Sequence, residues 1–193
     1  MKNSVKISLL VLFLNTGFMM EAAEDLDIKV LDSQNLKVEL ESGSQGNVLL
    51  LKDKFGKVLF RDSITTNLTY HKTFNLELVP NGIYYLNLDN ETRIQTTAIA
   101  KTNYGLEIEK ESSFLLKPIY KIEDKLVRVL FTNSQQKKTF LKVYDSYGIM
   151  VANLNSKEAV LMKTFDFSNV PYGKYRIEIG INGQNFTKEI NLE

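Results

Sequence analysis

Beyond residue 27 the chain alternates apolar and polar side chains with a period of two. Leu36, Val38 and Leu40 are interleaved with Lys37 and Glu39, and Val127, Val129 and Phe131 repeat that face 91 residues later. Leu49 and Leu51 return as Leu141 and Val143. Tyr84, Leu86 and Leu88 return as Tyr175, Ile177 and Ile179, with Asn87 and Glu178 expected to point outward. A period of two places one set of side chains on one face of a β-strand, and that face must be buried against a second layer. The pattern predicts strands near 27–31, 35–41, 47–52, 57–61, 72–78, 82–88 and 93–99. A second set is predicted near 118–122, 126–132, 139–144, 149–154, 163–167, 173–180 and 185–192. β-branched and aromatic residues are frequent in these runs, as pleated surfaces favour. No window after residue 24 carries a capped helical stripe.

The two sets of strands are one unit written twice. Asp53-Lys54-Phe55-Gly56 returns as Asp145-Ser146-Tyr147-Gly148, and Thr73-Phe74-Asn75-Leu76 through Tyr84 returns as Thr164-Phe165-Asp166-Phe167 through Tyr175. The offset is 92 residues for the first pair and 91 for the second, so one small indel separates the copies. Repetition on this scale fixes an architecture of tandem units. Turn signals support it. The two Asp-x-x-Gly segments read as hairpin connections, and Asn182-Gly183 is a strong hairpin signal. Its counterpart, Asp89-Asn90-Glu91-Thr92, is a less specific turn. The expected organisation is a signal peptide over 1–23, one repeat over 24–100, a linker or extra strand over 101–117, and a second repeat over 118–193. The edge strands show no obvious protection in the sequence, which leaves them open to pairing with another chain.

Pro80-Asn81-Gly82-Ile83-Tyr84 and Pro171-Tyr172-Gly173-Lys174-Tyr175 read as structural corners. Pro80 and Pro171 fix the backbone, Gly82 and Gly173 turn it, and Tyr84 and Tyr175 enter the core with their hydroxyls bonded to nearby backbone. Immunoglobulin-like sandwiches have a comparable tyrosine corner. The fold class is therefore all-β, with two tandem immunoglobulin-like antiparallel sandwiches.

Composition narrows the chemistry. The 193 residues carry a formal net charge of +1, with 24 basic and 23 acidic side chains interleaved. That balance lacks the one-sided basic footprint of a nucleic-acid binder. There are no cysteines, which removes disulfides, thiolate nucleophiles and Cys-ligated metals together. Each small unit must then be held by core packing and ladder hydrogen bonds. Lys2 and Lys6 precede the apolar run Ile7 to Leu14, and Glu21-Ala22-Ala23 supplies small residues. The segment reads as a secretory signal cleaved after Ala22 or Ala23. Its apolar run is shorter than the roughly 20 residues of a membrane span. The expected compartment is secreted, periplasmic or cell-surface.

Candidate chemistry is sparse. His71 is the single histidine and reads as a surface-loop residue, with no nucleophile elbow to serve. No carboxylate pair, calcium loop or phosphate loop stands out, so neither catalytic residues nor cofactors are assigned. Tyr85, Tyr144, Tyr147 and Tyr172 are the candidate surface binding residues, because exposed aromatic platforms bind sugars or protein partners.

Residues 141–191 resemble the C-terminal sorting domain of type IX secretion cargo. The likeness rests on Lys142-Val143-Tyr144-Asp145-Ser146-Tyr147-Gly148 and on Phe165-Asp166-Phe167-Ser168-Asn169-Val170-Pro171-Tyr172-Gly173-Lys174-Tyr175. The first copy is similar, with Asn75-Leu76-Glu77 in place of Asp-Phe-Ser. The pattern also resembles related small secreted β-sandwich proteins. The resemblance implies the sandwich fold and an exported compartment. Two features depart from it: the unit is duplicated with no cargo before it, and the chain finishes on Asn191-Leu192-Glu193 rather than on basic residues. The expected function is an exported, non-catalytic module, structural or partner-binding at the envelope or outside the cell. The alternatives are a sorting or adaptor module and a carbohydrate-binding module. The expected partner is a protein or a polysaccharide at the cell surface, with no nucleic acid and no membrane span beyond the signal peptide.

Overall fold

The computed structural model describes residues 26–41, 45–65 and 69–192, and the expected signal peptide lies outside them. The described residues form strands and no helix. The first copy supplies β1 (Asp27–Val30), β2 (Asn35–Leu40), β3 (Val48–Asp53), β4 (Val58–Ser63), β5 (Tyr70–Asn75), β6 (Gly82–Asp89) and β7 (Arg93–Thr102). Then come β8 (Gly105–Ile108) and β9 (Ser113–Leu116). The second copy supplies β10 (Ile119–Glu123), β11 (Leu126–Thr132), β12 (Thr139–Tyr144), β13 (Met150–Ser156), β14 (Val160–Asp166), β15 (Gly173–Ile181) and β16 (Gln184–Leu192). Each strand expected from the alternation is present within a few residues of its expected bounds.

The strands pair antiparallel into four sheets that form two sandwiches. In the first copy the order β1-β2-β5 faces β4-β3-β6-β7-β8, with β9 also on β7. In the second, β10-β11-β14 faces β13-β12-β15-β16. The layout is immunoglobulin-like, but the fourth strand of each copy pairs with the third rather than with the fifth. It thus joins the opposite sheet from the one an immunoglobulin constant layout would give it. Leu36, Val38 and Leu40 meet Leu49, Leu86 and Ile99 in the first core, and Val127, Val129 and Phe131 meet Leu141, Ile177 and Ile179 in the second. The two cores share no residue.

The repeated turns close by the same chemistry. Asp53 Oδ1 accepts from the N–H groups of Phe55 and Lys57 at 2.9 and 3.0 Å. Asp145 Oδ1 accepts from Tyr147 and Ile149, both at 2.9 Å. Gly56 and Gly148 sit at φ +84° and +77°, where a Cβ would be strained. At Asn182 and Gly183 both φ angles are positive, as a type I′ hairpin turn requires.

The corners also repeat, with one exchange. The Tyr84 hydroxyl donates to the Pro80 carbonyl at 2.5 Å and Tyr175 to Pro171 at 3.0 Å. In the first copy, Lys101 Nζ donates to three carbonyls of the corner loop: Leu76 at 2.5 Å, Glu77 at 2.9 Å and Val79 at 2.6 Å. Lys101 pairs with Gly82, and Leu192 pairs with Gly173. The second copy therefore puts a buried leucine where the first puts an ammonium.

Two sequence expectations change. Asn87 does lie on the face away from the core, but it is buried, and its Nδ2 donates to Thr96 Oγ1 at 2.7 Å. A period-two pattern assigns a face without saying whether that face meets water. His71 is exposed but lies on β5 opposite Glu39, not in a loop.

Hydrogen bonds from a charged donor are worth about 1.5–3 kcal/mol and neutral ones about 0.5–1.5 kcal/mol. Lys101→Ala is therefore expected to cost more stability in urea unfolding than Tyr175→Phe. Equal costs would show that the ammonium does not hold the first corner.

Candidate functional site

The segment between the copies walls a cleft. β8 and β9 add to the edge of β7 one after the other, with Ile108 opposite Ile99 and Ser113 opposite Thr96. Residues 109–112 span the gap with two residues more than β7 uses. Ser112 Oγ lies 2.7 Å from Thr97 Oγ1 and accepts from Gln95 Nε2 at 3.2 Å, which caps the polar rim of the first sandwich. The chain thus climbs back to the end of β7 at which that strand began, and it enters β10 from there. Residues 101–117 are not a tether. They belong by backbone to the first sandwich.

Alternation along β9 then divides its side chains. Leu115 lies opposite Ile94 and is half-buried against the second core. Phe114 and Leu116 lie on the other face, 47% and 45% exposed. Lys117 donates its N–H to the Thr92 carbonyl at 2.8 Å and its Nζ contacts Asp89 Oδ1 at 2.6 Å, which fixes the crossing point. From the second sandwich, the β11–β12 loop (Thr132 to Gln135) and the β15–β16 turn approach the same place. Between them and β9 is a cleft of about 510 Å³.

The lining is mostly neutral. It includes the amides of Gln135, Asn182 and Gln184, the Phe114 ring with the Arg93 guanidinium 4.7 Å above it, and no carboxylate. Asn133, which also lines the cleft, is structural. Its Nδ2 donates to the carbonyls of Lys137 and Glu158, at 2.8 and 3.2 Å, and its Oδ1 accepts from Lys137 N–H at 3.0 Å. Those bonds shape the loop and leave the neighbouring Gln135 as a wall residue. Such a set can bind a polar ligand by neutral hydrogen bonds. It has no nucleophile with an adjacent base. No group of three or more His, Cys, Asp or Glu side chains that could hold a metal ion occurs among the described residues.

The aromatic candidates lie elsewhere. Tyr144 ends β12, Tyr147 is in the following turn, and Tyr172 directly precedes β15. All three sit at the end of the second sandwich away from the cleft, with Tyr147 88% and Tyr172 70% exposed. Tyr85 is on β6 of the first sandwich, opposite Lys52. The four therefore do not form one surface. The ring of Tyr144 has the Arg176 guanidinium 4.7 Å above it, and that of Tyr172 has Lys125 Nζ at 4.8 Å. Each thus has one face taken by a cation. Pro80, Gly82 and Tyr84, with Pro171, Gly173 and Tyr175, form the two corners already described.

Among the described residues three tyrosine hydroxyls are raised, and all are structural: burial and then Asp53 raise that of Tyr84, which is bonded in its corner, and two more lie elsewhere. Tyr120 packs against the second core, and burial pushes its phenol up to about 12. Tyr70 is raised further, by burial and then by donation to Asp62 Oδ2 at 2.9 Å. Neither reaches the cleft.

The outer faces of the two three-stranded sheets differ at matched positions. The first carries the row Asp27–Glu39–His71, tied by ion pairs of Lys29 and Lys37 with Glu39 at 3.5 and 2.6 Å. The second carries Ile119–Leu130–Met162, in which Ile119 and Met162 are about two-thirds exposed.

The edges also differ from the sequence expectation, because several are protected. Lys72 on β5, Lys163 on β14 and Lys188 on β16 lie opposite the buried Val38, Val129 and Ile177, so each puts a charge on the core side of an edge strand. Inward lysines deter strand pairing. Period two already places them with Phe74, Phe165 and Ile190, but only the strand order shows that they sit on edges.

No family model matches the chain, and no curated protein matches it in sequence. Among solved structures the chain is similar to the BSP domain of a biofilm associated protein, at 10% identity and TM-score 0.29. That alignment covers 86% of this chain and 29% of the other, so the chain spans under a third of it. It is similar to the human OSCAR ligand-binding domain, at 9% identity and TM-score 0.27, over 86% of this chain and 96% of that one. It is also similar to the central fibronectin-III array of RIM-binding protein, at 7% identity and TM-score 0.27, over 88% and 67%.

Leu115 is the side chain that ties the linker strand to the second core. Leu→Ala at a fully buried site costs about 2–5 kcal/mol, and a half-buried site about half of that. Leu115→Ala is expected to lower the unfolding midpoint of the second sandwich and to widen the distribution of distances between the units. Spin labels placed at the exposed Arg61 and Lys157 would measure the latter. An unchanged distribution would show that Leu115 does not couple them.

Proposed function

We propose that the protein is an exported, non-catalytic module that binds a partner in the cleft between its two sandwiches. The observation that carries this reading is the composition of the cleft. Neutral amides and hydroxyls, the aliphatic Leu115, Leu116 and Ile181, one aromatic ring and one guanidinium line it, without the paired carboxylates or the nucleophile beside a base that hydrolysis uses. Binding sites recur at junctions between domains, where two rigid walls meet at little entropic cost. The likeness of residues 141–191 to type IX sorting domains and the apolar N-terminal run support export. A carbohydrate partner at Tyr85, Tyr144, Tyr147 and Tyr172 is the weaker alternative, since the four are dispersed and two already carry a cation.

The test is binding of the purified protein to arrays of immobilised nine-residue peptides and of glycans. Gln135→Trp combined with Gln184→Trp fills the cleft, and Tyr147→Ala combined with Tyr172→Ala removes the distal aromatics. Ligands are expected to be lost at least tenfold by the first pair and kept by the second. The opposite pattern moves the site to the distal end. Turnover of a bound ligand that the filled cleft abolishes would make the protein an enzyme.

A further inference from the structure

The cleft is walled by the whole of β9, and the hydrogen-bond register of β9 leaves half of its backbone unused. Lys117 N–H bonds to Thr92 O, and in an antiparallel ladder bonded pairs recur every second residue. Leu115 opposite Ile94 and Ser113 opposite Thr96 are then the bonded pairs. The N–H and C=O groups of Phe114 and Leu116 point away from β7. No described backbone group pairs with them.

Of the other edge strands among the described residues, seven carry a guard, while β8 packs beside β1. β5, β14 and β16 carry inward lysines, and β4 and β13 each break register with a bulge beside their partner strand. β1 and β10 carry outward charges. β9 reads Ser-Phe-Leu-Leu, with no charge, no proline and no bulge within its four residues. An edge without such a guard, lying inside a cleft, is an acceptor for one more strand.

We infer that the ligand of the cleft is an extended peptide that adds to the free edge of β9 as an antiparallel strand. This rests on the binding reading above and names its ligand class. Four strand residues span about 13 Å, so the bound core is a segment of four or five residues. Its backbone pairs with Phe114 and Leu116. Its side chains on one face meet Gln135, Asn182 and Gln184. Specificity follows from the alternate side chains and affinity from the ladder.

The test uses the tightest binder from the nine-residue peptide array with the whole purified protein. Leu116→Pro deletes the outward N–H while leaving the inward bonds of Leu115 and Lys117 in place, a position that tolerates proline in an edge strand. Leu116→Ala keeps the N–H and removes only the side chain. Leu116→Pro is expected to weaken binding tenfold or more with an unchanged melting temperature, and Leu116→Ala to weaken it less than threefold. Independently of how Leu116→Pro folds, N-methylation along the peptide is expected to abolish binding at alternate residues only. A peptide bound equally well whatever residue is N-methylated overturns strand addition, as do equal effects of the two Leu116 substitutions. Glycans retained, and lost in the filled-cleft variant, would overturn it while leaving the cleft as the site. Peptides whose binding ignores the filled cleft would overturn both.

Discussion

Leu115 belongs to one sandwich by its backbone and to the other by its side chain. Its N–H and C=O are committed to β7, while its isobutyl group is packed on the core formed by Val127, Val129, Phe131 and their neighbours. Everything that distinguishes this molecule from two beads on a string depends on that double membership. It returns the chain to the end of β7 where the second sandwich begins. It sets one wall of the cleft against loops of the other unit. It also turns Phe114 and Leu116, with their unused backbone groups, toward the open side.

Duplication supplies an internal control for reading the rest. Where a feature is kept in both copies, the fold requires it: the Asp53 and Asp145 turns, the Tyr84 and Tyr175 corners, the inward Lys72 and Lys163. Where matched positions differ, the fold tolerates either. Lys101 and Leu192 fill equivalent space by opposite means, one satisfying three carbonyls and the other burying apolar surface. Lys52 lies opposite Tyr85 in the first copy and Tyr144 opposite Arg176 in the second, so the basic and aromatic positions exchange strands. The charged row at Asp27, Glu39 and His71 against the apolar row at Ile119, Leu130 and Met162 shows that the outer faces of the two copies differ in chemistry.

The strands and turns were legible because they depend on neighbours in sequence. Period-two runs such as Leu36-Lys37-Val38 and turn residues such as Asn182-Gly183 carry their own instructions. Arrangement across strands was not legible. Asn87 has the spacing of a solvent-facing residue, yet it is buried on the outer face of its sheet. Lys72, Lys163 and Lys188 have core-face spacing, but only the strand order shows that they guard edges. The cleft was invisible for the same reason, since it joins Arg93 to residues near 114, 135 and 182 that no local pattern connects. Residues 101–117 read equally as linker or strand, because β8 and β9 are only four residues each and draw their stability from β7.

Amide hydrogen exchange along residues 113–117 tests the dual role of β9 most directly. The account predicts slow exchange at Leu115 and Lys117, whose N–H groups bond to the first sandwich, and fast exchange at Phe114 and Leu116 in the same protein. Uniformly fast exchange over the segment would show a loose linker. Uniformly slow exchange would show an edge already paired, and either result would contradict the account.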